Sequence, residues 1–227
     1  LMLSLLSLFL ASGPVLRDDT QHWSPNTYPN PQINYTLCNT WPASTLCDPD
    51  HILTDHWRMI INKNIQEQIE KLRNSSDLLY NDNASGRCHR NATNGITIYV
   101  ILANRIITTS NNSIDTDLIN FGNGVADKYG LNSQSCKNFI VIVGVEEAKL
   151  AYVRTGYDLK LPNDLMKIIF KEYSELFNAK NYMEGLNKII TEIGERMNDL
   201  SLQVFFSKFS YLLSAIDLEN RKYNVFY

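Results

Sequence analysis

The sequence predicts an α/β fold: a small mixed β-sheet, one parallel pair plus an antiparallel strand, sandwiched between helices. Three observations carry this expectation. The run Phe139–Val143 reads Phe-Ile-Val-Ile-Val without polar alternation. A strand of that kind must be covered on both faces, as in the middle of an α/β layer. A charged turn at Glu146 and Glu147 then leads into a second strand, Lys149 to Val153, stopped by Gly156. So short a link makes an antiparallel pair. Finally, an earlier strand, Gly95 to Leu102, reaches this block through a helical pattern, the crossover that parallel neighbours require.

The elements follow in order. Residues 1–13 (LMLSLLSLFLASG) form an apolar run closing on small residues. That is the pattern of a secretory signal, with cleavage expected near Ala11 to Gly13. Residues 14–46 are rich in Pro, Asn and Thr and read as an extended lead-in. Its aromatics Trp23, Tyr28, Tyr35 and Trp41 are expected to staple it to the domain. Residues 47–200 make up the α/β domain. Asp48 and Pro49 suit the N-cap and N1 positions of a first helix, Pro49 to Arg73. Ile52, Leu53, Met59, Ile60, Ile65, Ile69 and Leu72 form its apolar stripe. After a loop over 74–94 comes the first strand, and then a helix from Asp115 to Tyr129. Gly130 ends that helix, and Gly122 and Gly124 within it suit close packing. A third helix runs from Pro162 to Phe177 and a fourth from Asn181 to Leu200. Residues 201–227 form a C-terminal tail or amphipathic helix, with Lys208 and several serines making a poor transmembrane span.

With 227 residues, 44% hydrophobic, the chain can build one ordinary core. A net charge of −3 with scattered Lys and Arg argues against a nucleic-acid partner. The four cysteines suit two disulfides in an oxidising compartment. Three pairings are possible. Cys38–Cys47 is favoured as a short clip on the lead-in. Cys88–Cys136 is favoured because each cysteine precedes a predicted strand, and parallel neighbours would place both at one sheet edge. Zinc is disfavoured, since there is no C-x-x-C pair and only His89 adjoins a cysteine. Five glycosylation sequons, Asn34, Asn74, Asn83, Asn91 and Asn111, all precede the C-terminal half. They fit secretion and leave that half open for packing or a partner.

The topology also predicts a site. The first helix start, with Asp48 and Asp50, the loop carrying Asp115 and Asp117, and the turn with Glu146 and Glu147 should meet at the carboxyl edge of the strands. Ligands of open α/β sheets bind there. Six carboxylates could hold Ca²⁺ or Mg²⁺, hard cations that take oxygen ligands. The alternative is that they are ordinary caps and solvated turn charges. Catalytic chemistry is less visible. There is no Cys-x5-Arg loop, no Ser-His-Asp elbow and no phosphate-cradling glycine loop. Arg105 and Arg154 flank the strands, with Arg154 expected at the edge opposite the carboxylates. His51 and His56 read as surface residues.

Four segments, LCDPDHILT (Leu46–Thr54), GITIYVIL (Gly95–Leu102), the block from Tyr129 to Pro162 and NYMEGLNKIITEIGERM (Asn181–Met197), carry a resemblance. Their order and spacing over Asn34 to Leu200 resemble the TPM domain, in the branch named modulator of levamisole receptor. The resemblance implies a TPM-domain-like fold and a nematode-type extracellular module, secreted or on the outer face of the plasma membrane. It implies that the module positively modulates a levamisole-sensitive acetylcholine receptor without catalysing a reaction, with channel subunits as partners and no required cofactor. Relatives of that branch carry a membrane span after the domain, whereas the tail after Leu200 does not read as one. Other TPM branches imply the alternative of a secreted, divalent-metal-dependent, acid phosphatase-like domain.

Overall fold

In the computed structural model a four-stranded sheet with the order β1-β2-β3-β4 lies between two layers. The structure describes residues 22–73, 79–81, 83–84, 88, 95–109, 113–162, 164–178 and 181–223, giving the backbone alone for 177–178 and 204–223. The expected leader over 1–13 and the sequons at Asn74, Asn91 and Asn111 lie outside the described residues. The strands are β1 (Leu46–Cys47), β2 (Thr97–Ala103), β3 (Phe139–Val145) and β4 (Leu150–Thr155). β2 and β3 pair in parallel over their whole length, Thr97 opposite Phe139 and Ala103 opposite Val145. β4 returns antiparallel to β3. The central arrangement is therefore the mixed sheet the sequence predicts. β1 adds a short parallel edge strand beside β2. Two residues are too few to show any alternation, so no pattern in the sequence announces it.

Alternation along β2 and β3 divides the core in two. Ile98, Val100, Leu102, Ile140 and Ile142 meet the helices α1 (Asp55–Arg73) and α5 (Tyr182–Tyr223). Tyr99, Ile101, Val141, Val143 and Val145 meet α2 (Ile114–Lys128) and the lead-in. Both sets are buried, which is why the strands read as continuous apolar runs.

Several boundaries differ from expectation, each for a local reason. α1 begins at Asp55, not Pro49. His51 sits at φ 56°, a left-handed conformation that breaks a helix. The Thr54 hydroxyl accepts the Trp57 N–H at 3.3 Å and starts the helix instead. The buried positions of α1 are Arg58, Ile61, Asn64, Ile65, Gln68 and Leu72, while Met59 is exposed. Asn64 donates to Asn187 O and to Thr191 Oγ1, both at 2.9 Å, and Gln68 donates to Asn64 at 2.9 Å. A polar seam thus runs between α1 and α5. The expected third helix is two: α3 (Leu165–Glu172) and α4 (Ser174–Asn178), separated at Tyr173. The Ser174 hydroxyl donates to Lys171 O at 2.8 Å, offering the backbone a competing bond at the break. α5 runs on past Leu200 to Tyr223, 42 residues and so about 63 Å long. Among the described residues no helix is long and apolar enough to cross a membrane.

α2 starts at Ile114 with Ser113 as its N-cap. Gly122 packs under the Tyr152 ring and Gly124 against Pro25, where a Cβ would come within 2.8 Å and 2.6 Å of the neighbour. Gly130, at φ 73°, then turns the chain into a 3-10 turn over Leu131–Ser133. The lead-in is part of the core. Tyr28 is fully buried and Trp23 nearly so, but Tyr35 and Trp41 are exposed. Two of the four aromatics, not all, staple it.

Candidate functional site: the carboxyl edge of the sheet

β2 and β3 end side by side at Ala103 and Val145, and the β3–β4 turn folds back over them. Glu146 N–H donates to Ala103 O at 3.0 Å and Glu147 N–H to Asn104 O at 3.2 Å. Lys149, at φ 52°, closes the turn with its N–H on Glu146 O at 3.0 Å. Glu146, Glu147 and Lys149 are therefore exposed at the tip. Glu147 forms an ion pair with Arg105, and so exposed a pair contributes about 0–1 kcal/mol at most.

The loop between β1 and α1 reaches the same edge. Asp48 is wholly buried. Its two carboxylate oxygens accept the N–H groups of Ile52 and Leu53, each at 2.9 Å. Asp48 thus caps a turn ahead of the helix rather than the helix itself. Burial pushes its pKa from 3.8 up to about 6, against the lowering effect of the two backbone donors and of the Arg58 charge. Asp50 accepts from Trp23 Nε1 at 2.8 Å and from the Asn104 N–H at 2.7 Å. It ties the lead-in to the end of β2. Asp117 is not a helix cap either. It lies buried and takes the Thr109 N–H and hydroxyl, both at 2.9 Å. Asp115 is exposed in the first turn of α2.

The six expected cation ligands are thus placed in different surroundings. Asp48 and Asp117 spend both carboxylate oxygens on the protein's own donors, Asp50 spends its Oδ2, and Glu147 is paired with Arg105. Among the described residues, no three of the six bring ligand oxygens within 4.8 Å of one another. The group that does converge is Cys88, Cys136 and Asp158, but its two sulfurs are bonded to each other.

Both disulfides are present, Cys38–Cys47 on the lead-in and Cys88–Cys136 before β2 and β3. Of the sequons, Asn34 and Asn83 are exposed. His51 and His56 are exposed, and Arg154 lies opposite Val141, toward the amino end of β3. Arg154 donates to Asn123 and Asn132. One polar knot had no signal in the sequence. With its amide oxygen turned inward, Asn39 accepts from Arg58 Nη2 at 2.7 Å and from His51 Nδ1 at 2.9 Å. These three residues hold the lead-in against the start of α1.

Compared with known proteins, residues 23–149 match the family described as Modulator of levamisole receptor-1. That span is more than half of the chain, from Trp23 to the β3–β4 turn. No curated protein matches. Among solved structures, the chain is similar to the N-terminal domain of a protein from P. gingivalis, with 16% identity and a TM-score of 0.53. The match covers 77% of this chain and 91% of that one, and it shows the fold alone. The N-terminal domain of a Corynebacterium glutamicum protein matches at 10% identity and TM-score 0.40, over 65% of this chain and 75% of that one. A protein from the psychrophilic bacterium Bizionia argentinensis matches at 13% identity and TM-score 0.40, over 67% and 86%.

Proposed function

The chain belongs to the modulator of levamisole receptor-1 family, and from that premise we propose that it is a non-enzymatic extracellular module that positively modulates a levamisole-sensitive acetylcholine receptor. The observation that carries this reading is the family match over 23–149. It takes in the lead-in, the first two helices, three strands and the carboxyl-edge turn. Three further features support an extracellular setting. The fold contains two disulfides, which persist in oxidising compartments. Asn34 and Asn83 are exposed within glycosylation sequons. The N-terminal run has the composition of a secretory signal.

The module acts by contact. A protein that binds one state of a channel better than another shifts the population toward that state, by as much as its affinities differ. Positive modulation therefore requires tighter binding to the agonist-responsive state. Affinity purification of receptor subunits from detergent extracts of cells expressing both proteins tests the association. The chain should be retained with the receptor and lost when the receptor is omitted. Retention on the matrix regardless of receptor, or absence from the complex, would overturn the reading.

A further inference from the structure

On the lead-in side of the β3–β4 turn lies a cleft of roughly 420 Å³, within the usual range of about 300–1,000 Å³ for small-molecule sites. It opens at the carboxyl edge of the strands, where open α/β sheets take ligands. Its floor is apolar, formed by Ile106, Leu118, Val145 and Leu150. Asn104, Arg105, Thr108 and Glu147 bring polar groups to the same cleft.

Arg105 offers donors alone, Asn104 and Thr108 offer both donors and acceptors, and Glu147 accepts. Arg105 gives its Nε to Glu147. Its two Nη groups, the Asn104 side-chain amide and the Thr108 hydroxyl have no partner among the described residues. A guanidinium with both Nη groups unspent is suited to bidentate recognition of a carboxylate. The Glu147 carboxylate holds that same guanidinium from its edge. It sits at the Nε edge, away from the Nη end a ligand would take, and its charge opposes an anionic ligand there.

We infer that this cleft binds a small amphipathic monocarboxylate, its carboxylate on Arg105 and its aliphatic or aromatic body on the Ile106–Leu118–Val145 floor. Glu147, on the Nε edge of the same guanidinium, is the counter-charge that keeps the site weak for such a ligand. The inference is independent of the receptor reading, since it rests on the cleft alone.

Octanoate is the probe, titrated calorimetrically into the full chain, with octanol and octylammonium as controls. Octanoate should bind saturably, at least about tenfold tighter than octanol, the factor a charge-assisted bond to a ligand supplies. Arg105→Gln should reduce octanoate to the octanol level. Glu147→Gln should tighten octanoate several-fold and leave octanol unchanged, an effect that a merely structural ion pair would not produce. Both residues are more than a third exposed, so both variants should unfold at the temperature of the parent chain, which a thermal melt checks. Octanoate binding no tighter than octanol, tighter binding of octylammonium, or weakening by Glu147→Gln would each overturn the assignment.

Discussion

The two faces of the sheet are covered in different ways. On one, the α1–α5 pair buries Ile61, Ile65, Leu72, Ile189 and Ile193 against the strands, apolar positions recurring at helical spacing. On the other, α2 shares the work with a lead-in containing Pro25, Pro29, Pro31 and Pro42, which cannot form a helix. An irregular segment must satisfy its backbone one group at a time. The Tyr28 hydroxyl shares its single proton between Cys47 O at 2.9 Å and Leu102 O at 2.7 Å. Tyr129 donates to Pro29 O at 2.6 Å, and Lys128 to Asn26 O at 2.6 Å and Tyr28 O at 2.7 Å. One face is thus held by repetition, the other by individual donors.

The sharpest break of this contrast is at Tyr28. Tyr28→Ala should cost about 3–5 kcal/mol, as for other buried aromatics. The more telling change is Tyr28→Phe. It keeps the shape but removes the one proton that two buried carbonyls share, and should cost about 1–3 kcal/mol in urea unfolding. A neutral Tyr28→Phe would mean that the lead-in is held by shape, like the other face.

The disulfides sharpen the comparison next, because each face has one. Cys88–Cys136 closes a span of 48 residues beside the helix-pair core, and Cys38–Cys47 a span of 9 in the lead-in. Loop-closure entropy predicts a loss of about 4 kcal/mol for the double serine variant of the first and about 2.5 kcal/mol for the second. Equal losses, or the reverse order, would show that the lead-in clip fixes native geometry beyond chain entropy.

Asp48 makes the same face sensitive to pH. Its folded pKa is raised from 3.8 to about 6 by burial. The folded state therefore favours the protonated acid. Its contribution is full below the ordinary carboxylate range and is lost as pH rises through about 6. The size is up to about 3 kcal/mol between about pH 4 and pH 7. Urea midpoints across that range should fall in the parent chain, and this component of the slope should vanish in Asp48→Asn. The smallest effect is expected in the helix-pair seam. Gln68 Oε1 has no hydrogen-bond partner among the described residues and lies against Gly194. Gln68→Met removes that orphan but also a donor to Asn64, so stability should change by less than about 1 kcal/mol. A large loss would show that the seam fixes the α1–α5 register.

Much of the helix-covered face was legible in the sequence, and so was the strand order β2-β3-β4. The uninterrupted Phe139–Val143 run, the Glu146–Glu147 turn and the Gly156 stop are local signals with one physical reading each. The lead-in was legible only in part. Trp23 and Tyr28 do not differ in kind from Tyr35 and Trp41. What separates buried from exposed is the presence of Asp50, Cys47 O and Leu102 O across the fold, and no spacing encodes that. The candidate site divides in the same way. Its position at the carboxyl edge follows from topology, and Asp50, Glu146 and Glu147 do gather around the ends of β2 and β3. The roles of Asp48 and Asp117 depend on which backbone N–H groups the loops present, and Asn39, Arg58 and His51 meet only in the folded chain.

The central claim is that this fold acts on a receptor. The direct test is the agonist-evoked current of a levamisole-sensitive acetylcholine receptor expressed with and without this chain, alongside surface labelling of the chain. The account predicts a larger current at subsaturating agonist when the chain is at the cell surface, and none of that gain with a Tyr28→Ala variant that fails to reach it. An unchanged current with the parent chain present at the surface would contradict it.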